Sequence, residues 1–142
     1  MTVSLPVADH IAINEVINRF FWCLDHGNSE RVGDLFTATA KLDLGRPGAP
    51  SVHGRDAIVE DVRNRPAVRL TRHLVTGVLI DAVDADHAHV GVVNAVFAGP
   101  NDDSKIREEI GMSDTALVMV KEGDGKWRFE DMKRTVIFKP QA

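Results

Sequence analysis

The sequence predicts an α+β fold in which three N-terminal helices pack on one face of a curled, cone-like antiparallel sheet. Three observations carry this. Helical periodicity is confined to the first part of the chain, runs rich in β-branched and apolar residues fill the rest, and short polar turns separate those runs. Long successive strands joined by short turns pair antiparallel. No repeat, low-complexity tract or linker divides the chain, so residues 1–142 are read as one domain.

The first helix spans residues 9–26, where Ile13, Val16, Ile17, Phe20, Phe21 and Leu24 recur at three- and four-residue steps and form a single stripe. Asp9 is its expected N-cap and Gly27 its stop. Asn28 or Ser29 caps a shorter second helix with Val32, Leu35 and Phe36 on one face, weakened by Gly33; the two helices form a hairpin. Residues 40–44 alternate apolar with polar, and residues 45–50 (Gly-Arg-Pro-Gly-Ala-Pro) form a turn-rich loop. A third helix over residues 55–64 carries Ile58, Val59 and Val62 at helical spacing, and Pro66 forbids its continuation. Strands follow at residues 69–82, 88–98, 106–120 and 127–138, with turns at 84–87, 100–104 and 123–125.

Composition narrows the function. Lys and Arg number 17 against 21 Asp and Glu, a net charge of −4, which supplies no basic surface for nucleic acid or anionic lipid. The single cysteine, Cys23, forms neither a disulfide nor a thiolate metal site, and residues 1–9 lack the layout of a secretion signal. No apolar run approaches the roughly 20 residues that cross a bilayer. The expectation is a cytoplasmic protein that binds neither membrane nor nucleic acid.

Two residues stand out as chemistry. Asp25 lies at the edge of the apolar stripe, four residues after Phe21, and a carboxylate near a helix C-terminus is opposed by the macrodipole. It reads either as an inward carboxylate or as a solvated residue of the Asp25-His26-Gly27-Asn28 turn. His73 shares a strand face with Thr71 and Val75, while Arg72 and Leu74 take the other face. Alone it reads as a hydrogen-bonded core histidine or a catalyst. Paired with Asp25 it becomes a base, because a carboxylate on one ring nitrogen leaves the other free to accept a proton near neutral pH.

Asn94 and Asp114 fall inside apolar strand patterns, where an unpaired polar group is costly, so each meets a partner or faces a wet cavity. Met112, Ala116 and Met132 are expected to complete the walls or to be ordinary core. Val93, Leu117 and Met119 are expected on an outer sheet face too apolar to stay exposed, hence a homodimer or homotrimer. The Asp84, Asp86, His87 and His89 group sits on a turn whose side chains splay outward, so no metal site is expected. Cys23 lies close to the buried stripe and is read as core. Nucleotide-binding glycine loops, the Gly-x-Ser-x-Gly elbow and His-Glu-x-x-His are all absent.

Several segments together resemble the SnoaL-like branch of the nuclear-transport-factor-two-like (cystatin-like α+β barrel) superfamily. They are Ala12-Ile13-Asn14-Glu15-Val16-Ile17 with Phe20, Leu24-Asp25-His26-Gly27-Asn28, Leu35-Phe36-Thr37, and Val52-His53-Gly54-Arg55-Asp56-Ala57-Ile58. Thr71-Arg72-His73-Leu74-Val75-Thr76 and Gly125-Lys126-Trp127-Arg128-Phe129 complete the set. The resemblance implies a dyad at Asp25 and His73, in which His73 abstracts a proton and Asp25 orients it. A β-leaving group then departs or a double bond migrates, as in enzymes of scytalone-dehydratase type, with no cofactor. The chain departs from those enzymes in having no tyrosine. It also has Phe20 and Met132 where the dehydrochlorinases of the branch carry lysine and arginine, which leaves Arg134 as the basic residue on that strand face.

The sequence is therefore read as a lyase or isomerase acting on a small hydrophobic molecule of polyketide, steroid or aromatic type. Asp25 and His73 are catalytic; Phe21, Asn94, Met112, Asp114, Ala116, Met132 and Arg134 surround the substrate. The alternative is a non-catalytic ligand-binding or assembly module, a role the fold also serves.

Overall fold

The computed structural model describes residues 3–66, 69–100 and 111–139. Helix α1 (Val7–His26) is followed by the short α2 (Ser29–Val32) and a 3-10 turn (Gly33–Leu35). Then come β1 (Phe36–Asp43), β2 (Val52–His53), α3 (Arg55–Arg63), β3 (Arg69–Ala82), β4 (His87–Pro100), β5 (Gly111–Lys121) and β6 (Trp127–Phe138). Among the described residues, three helices pack on one six-stranded sheet of order β2-β1-β6-β5-β4-β3, curled but unclosed. No helix there is long and apolar enough to cross a membrane.

Helix α1 begins two residues before Asp9, after Pro6. Asp9 does not cap it: the carboxylate accepts the Trp127 indole N–H at 2.9 Å and Lys121 Nζ at 3.1 Å, tying α1 to the far end of β5 and β6. Gly27 does end α1, in the left-handed conformation (φ 72°) with its N–H on the Cys23 carbonyl. Phe36, expected in the second helix, instead opens β1 with extended backbone (φ −115°, ψ 146°). Tertiary packing decides this: its ring meets Phe20 at 5.6 Å and Phe129 at 5.0 Å between centroids, building the aromatic centre of the core.

The sheet is mixed rather than wholly antiparallel, because β1 pairs parallel with β6. Between β1 and β6 the chain runs through β2, α3, β3, β4 and β5, the long crossover that parallel pairing requires. Two bulges reset which residues face inward. In β3, Thr76 has no partner in register between Val75↔Asn94 and Gly77↔Val93, and its hydroxyl donates to the Val93 carbonyl at 3.0 Å. In β6, Glu130 is passed over between Phe129 and Asp131, and its carboxylate receives the hydroxyls of Thr37 and Thr39 from β1.

The facing of β5 differs from expectation. Ser113, Thr115, Leu117 and Met119 are buried on the concave face, while Asp114 and Ala116 are exposed and Met112 half-buried on the convex face. Leu117 and Met119 therefore belong to the core, and of the three residues expected on the outer face only Val93 is exposed. The stretch expected at 106–110 and the turn at 101–104 lie outside the described residues.

Candidate functional site

The last turn of α1 brings Asp25 over the concave face of β3, where His73 points inward. Asp25 Oδ1 contacts His73 Nδ1 at 2.6 Å and accepts the Thr71 hydroxyl at 2.8 Å, while Oδ2 accepts the His73 backbone N–H at 2.7 Å. Arg72 Nη1 donates to the Asp25 carbonyl at 3.1 Å, which satisfies one of the free carbonyls at the helix end. Only 5% of the His73 side chain and 6% of the Asp25 side chain remain exposed. Phe21, one turn before Asp25, stacks on the imidazole at 5.0 Å and 29°.

These contacts fix the protonation pattern. Burial pushes the Asp25 carboxyl up, but the hydrogen bonds from the His73 ring, the His73 amide and Thr71 outweigh it and hold the group below the usual carboxylate range. An ionised carboxylate only accepts, so Nδ1 carries the proton. A neutral ring then has its lone pair on Nε2, which has no hydrogen-bond partner among the described residues. The macrodipole penalty on a carboxylate at a helix C-terminus is offset by these donors.

His73 lines an enclosed cavity of about 20 Å³ together with Phe21, Asn94, Met132, Arg134 and Arg65. That space accommodates about one water molecule. Its polar lining is ordered: Asn94 Oδ1 accepts the Thr115 hydroxyl at 3.2 Å, and Arg134 Nε donates to Ser113 Oγ at 2.9 Å. Asp25, His73, Phe21, Asn94, Met132 and Arg134 thus converge as the sequence predicts. Met112, Asp114 and Ala116 do not, because β5 alternates in the opposite sense and turns them to the convex face.

Four participants escaped the sequence reading. Thr71 was placed on the face of His73 but not as a donor to Asp25, and Ser113 and Thr115 follow from the true facing of β5. The last is Arg65, whose position before Pro66 marked only a helix end although the residue lines the cavity. Arg65 and Leu24 line both the cavity and an open cleft of about 800 Å³ that also includes Arg46, Arg69 and Arg72. Burial lowers the pKa of both Arg65 and Arg134, and the charges of Arg46 and Arg69 lower them further.

Elsewhere the chemistry is local. Among the described residues no three His, Cys, Asp or Glu side chains converge as a metal site. His87 Nδ1 meets its turn neighbour Asp84 at 2.8 Å, both largely exposed. Cys23 is buried, and burial pushes its thiol up.

Solved structures share this architecture. A protein from Novosphingobium aromaticivorans provisionally called a scytalone dehydratase superposes with a TM-score of 0.82 at 19% identity, over 96% of this chain and 89% of that one. LinA gives 0.82 at 15% identity over 96% and 91%. A protein with a cystatin-like fold from Nostoc punctiforme gives 0.77 at 18% identity over 95% and 96%. At these identities the likeness is one of fold. No curated protein matches the sequence. The family model described as SnoaL-like domain, however, matches residues 6–133, nearly the whole of the helices and sheet that hold Asp25 against His73. The chain belongs to the SnoaL-like domain family.

Proposed function

We propose that the protein is a cofactor-independent lyase or isomerase with His73 as general base and Asp25 as the group that orients it. The observation that carries this reading is the 2.6 Å contact between an ionised carboxylate and Nδ1, which leaves Nε2 as the basic nitrogen beside the cavity. Nε2 takes a proton from a carbon next to a carbonyl. The released electron pair then either forms a C=C bond as a β-hydroxyl departs, that oxygen recovering the proton from the imidazolium to leave as water, or is reprotonated farther along so that the double bond moves. No redox partner is needed for either outcome.

The substrate is a small, largely hydrophobic carbonyl compound of polyketide, steroid or aromatic type, contacted by Phe21 and Met132, with Asn94 as a polar guide. Only its reacting end reaches the water-sized space beside His73, and the rest of the molecule lies in the cleft past Leu24 and Arg65, which face both cavity and cleft. The family and the neighbouring folds support this class of reaction by kinship, which does not fix a reaction.

One observation favours a second reading, a non-catalytic ligand-binding or assembly module: with three donors on its carboxylate, Asp25 also serves as a clamp between α1 and β3. The test is His73→Ala assayed against a panel of β-hydroxy ketones. The enzyme loses turnover in the folded variant; a module shows no turnover in the parent chain and a change only in folding or association.

A further inference from the structure

We propose that the molecule processed at His73 is a carboxylate, and that Arg65 and Arg134 hold its anionic end while Nε2 faces the C–H. This rests on the general-base reading and goes beyond it by setting the charge of the substrate.

Both guanidinium groups line the enclosed cavity with His73, so two cations share a space of about 20 Å³ with one imidazole. Neither is in an ion pair among the described residues, although the charges of Asp25 and Asp61 reach Arg65 and favour its charged form. Arg134 spends Nε on the uncharged hydroxyl of Ser113. The Arg65 side chain has no hydrogen bond or ion pair among the described residues, its polar contact there being the backbone N–H on the Val62 carbonyl. The nearby carboxylates are committed: Asp25 to Thr71 and His73, and Asp61 to Arg46 at 2.7 Å. Half-buried cations without counter-ions are costly, and an incoming anion supplies the missing partner.

The cleft outside is lined by Arg46, Arg63, Arg69 and Arg72 against Asp25 and Asp61, an excess of arginines at this mouth although the whole chain carries −4. Arg65 lines both cleft and cavity, so a molecule entering from the cleft passes its side chain. An anion there becomes the group that Arg65 binds. A neutral molecule does not. The planar forks of two arginines fit a carboxylate, and the narrow cavity suits it better than a tetrahedral phosphoryl group. The carboxylate sits apart from the carbonyl that acidifies the C–H, since negative charge beside the departing proton opposes its removal.

The experiment uses 4-oxo-4-phenylbutanoate, which has a ketone-activated CH2 and a separate carboxylate, against its primary amide and against inorganic phosphate. Calorimetric titration of the His73→Ala chain reads anion binding without chemistry. The acid binds about tenfold or more tighter than the amide, the scale of a charge-assisted hydrogen bond, and the preference disappears in Arg65→Gln/Arg134→Gln. If that double variant fails to fold, Arg65→Gln alone, which loses no side-chain hydrogen bond, shows the drop. Equal affinity for acid and amide, no saturable binding of either, a preference that survives the substitutions, or phosphate displacing the acid at equal concentration each overturns the proposal. Deuterium exchange of the CH2 in the unmodified chain tests the base separately. Exchange without acid preference removes only the anion site, and acid preference without exchange removes only the base.

Discussion

Asp25 holds His73 at two points, Oδ1 on the ring Nδ1 and Oδ2 on the backbone N–H, so one carboxylate sets both the tautomer of the imidazole and the position of its strand. Asp25→Asn keeps the size of the side chain but removes its charge and presents an NH2 to one of these donors. Turnover is expected to fall by about 10²–10⁴-fold. Asp25→Ala strands the buried donors as well, and urea unfolding should show a loss of about 1.5–3 kcal/mol. A variant as stable and active as the parent would remove Asp25 from both roles.

Activity should also fall on acidification, because an imidazolium cannot accept the substrate proton. A profile of kcat/KM from mild acid to neutrality checks this. A flat profile counts against His73 as the base.

Acid stability follows from two carboxylates. Asp25 titrates below its ordinary range, and Asp124 is drawn down to about 2 chiefly by its hydrogen bond with Arg128, whose Nη2 lies at 2.9 Å. Both folded values lie below the unfolded value of about 3.9, so their stabilising contribution is complete above that pH and is lost as pH falls through the folded values. Urea midpoints should hold steady down to about pH 4 and then decline toward pH 2. Asp124→Asn should flatten part of that decline; an unchanged slope would mean the Arg128 pair adds nothing.

Gly45 follows β1 with φ 63°, and a Cβ there would stand 2.6 Å from the Arg134 carbonyl oxygen. Gly45→Ala therefore strains the turn and pushes on the strand that carries Arg134. A loss of about 1–3 kcal/mol is expected from the backbone strain, together with weaker carboxylate binding. Circular dichroism melts and the same titration as above read the two effects.

Phe20 is 1% exposed and meets Phe21, Phe36 and Phe129 edge-on at 5.3 to 5.7 Å. Phe20→Ala should cost about 3–5 kcal/mol in denaturant unfolding, through lost burial and the cavity left behind. A cost well under this would mean the core collapses to fill the gap.

The helices and the long strands after α3 were legible because their signals are local: the stripe from Ile13 to Leu24, the stop at Gly27, the break at Pro66 and the polar turn after Ala82. So was the inward facing of His73, since Thr71, His73 and Val75 alternate cleanly with Arg72 and Leu74. The facing of β5 was not. Met112, Ala116 and Val118 are about as apolar as Leu117 and Met119, and the polar residues Ser113, Asp114 and Thr115 fall on both faces, so alternation has no contrast to read. Phe36 was lost to a three-dimensional cause, the demand of the aromatic core, and Arg65 to another, its meeting with His73 along one cavity wall.

The unpaired Thr76 makes β3 two short strands in series. Before it the odd-numbered residues Thr71, His73 and Val75 turn inward; after it the even-numbered Val78, Ile80 and Ala82 do. Were Thr76 paired in the ladder instead, the halves would run under a single parity, and the molecule would have to expel either its imidazole or its valine and isoleucine into solvent. The hydroxyl on Val93 is thus the joint that lets a reactive end and a packing end share one ribbon.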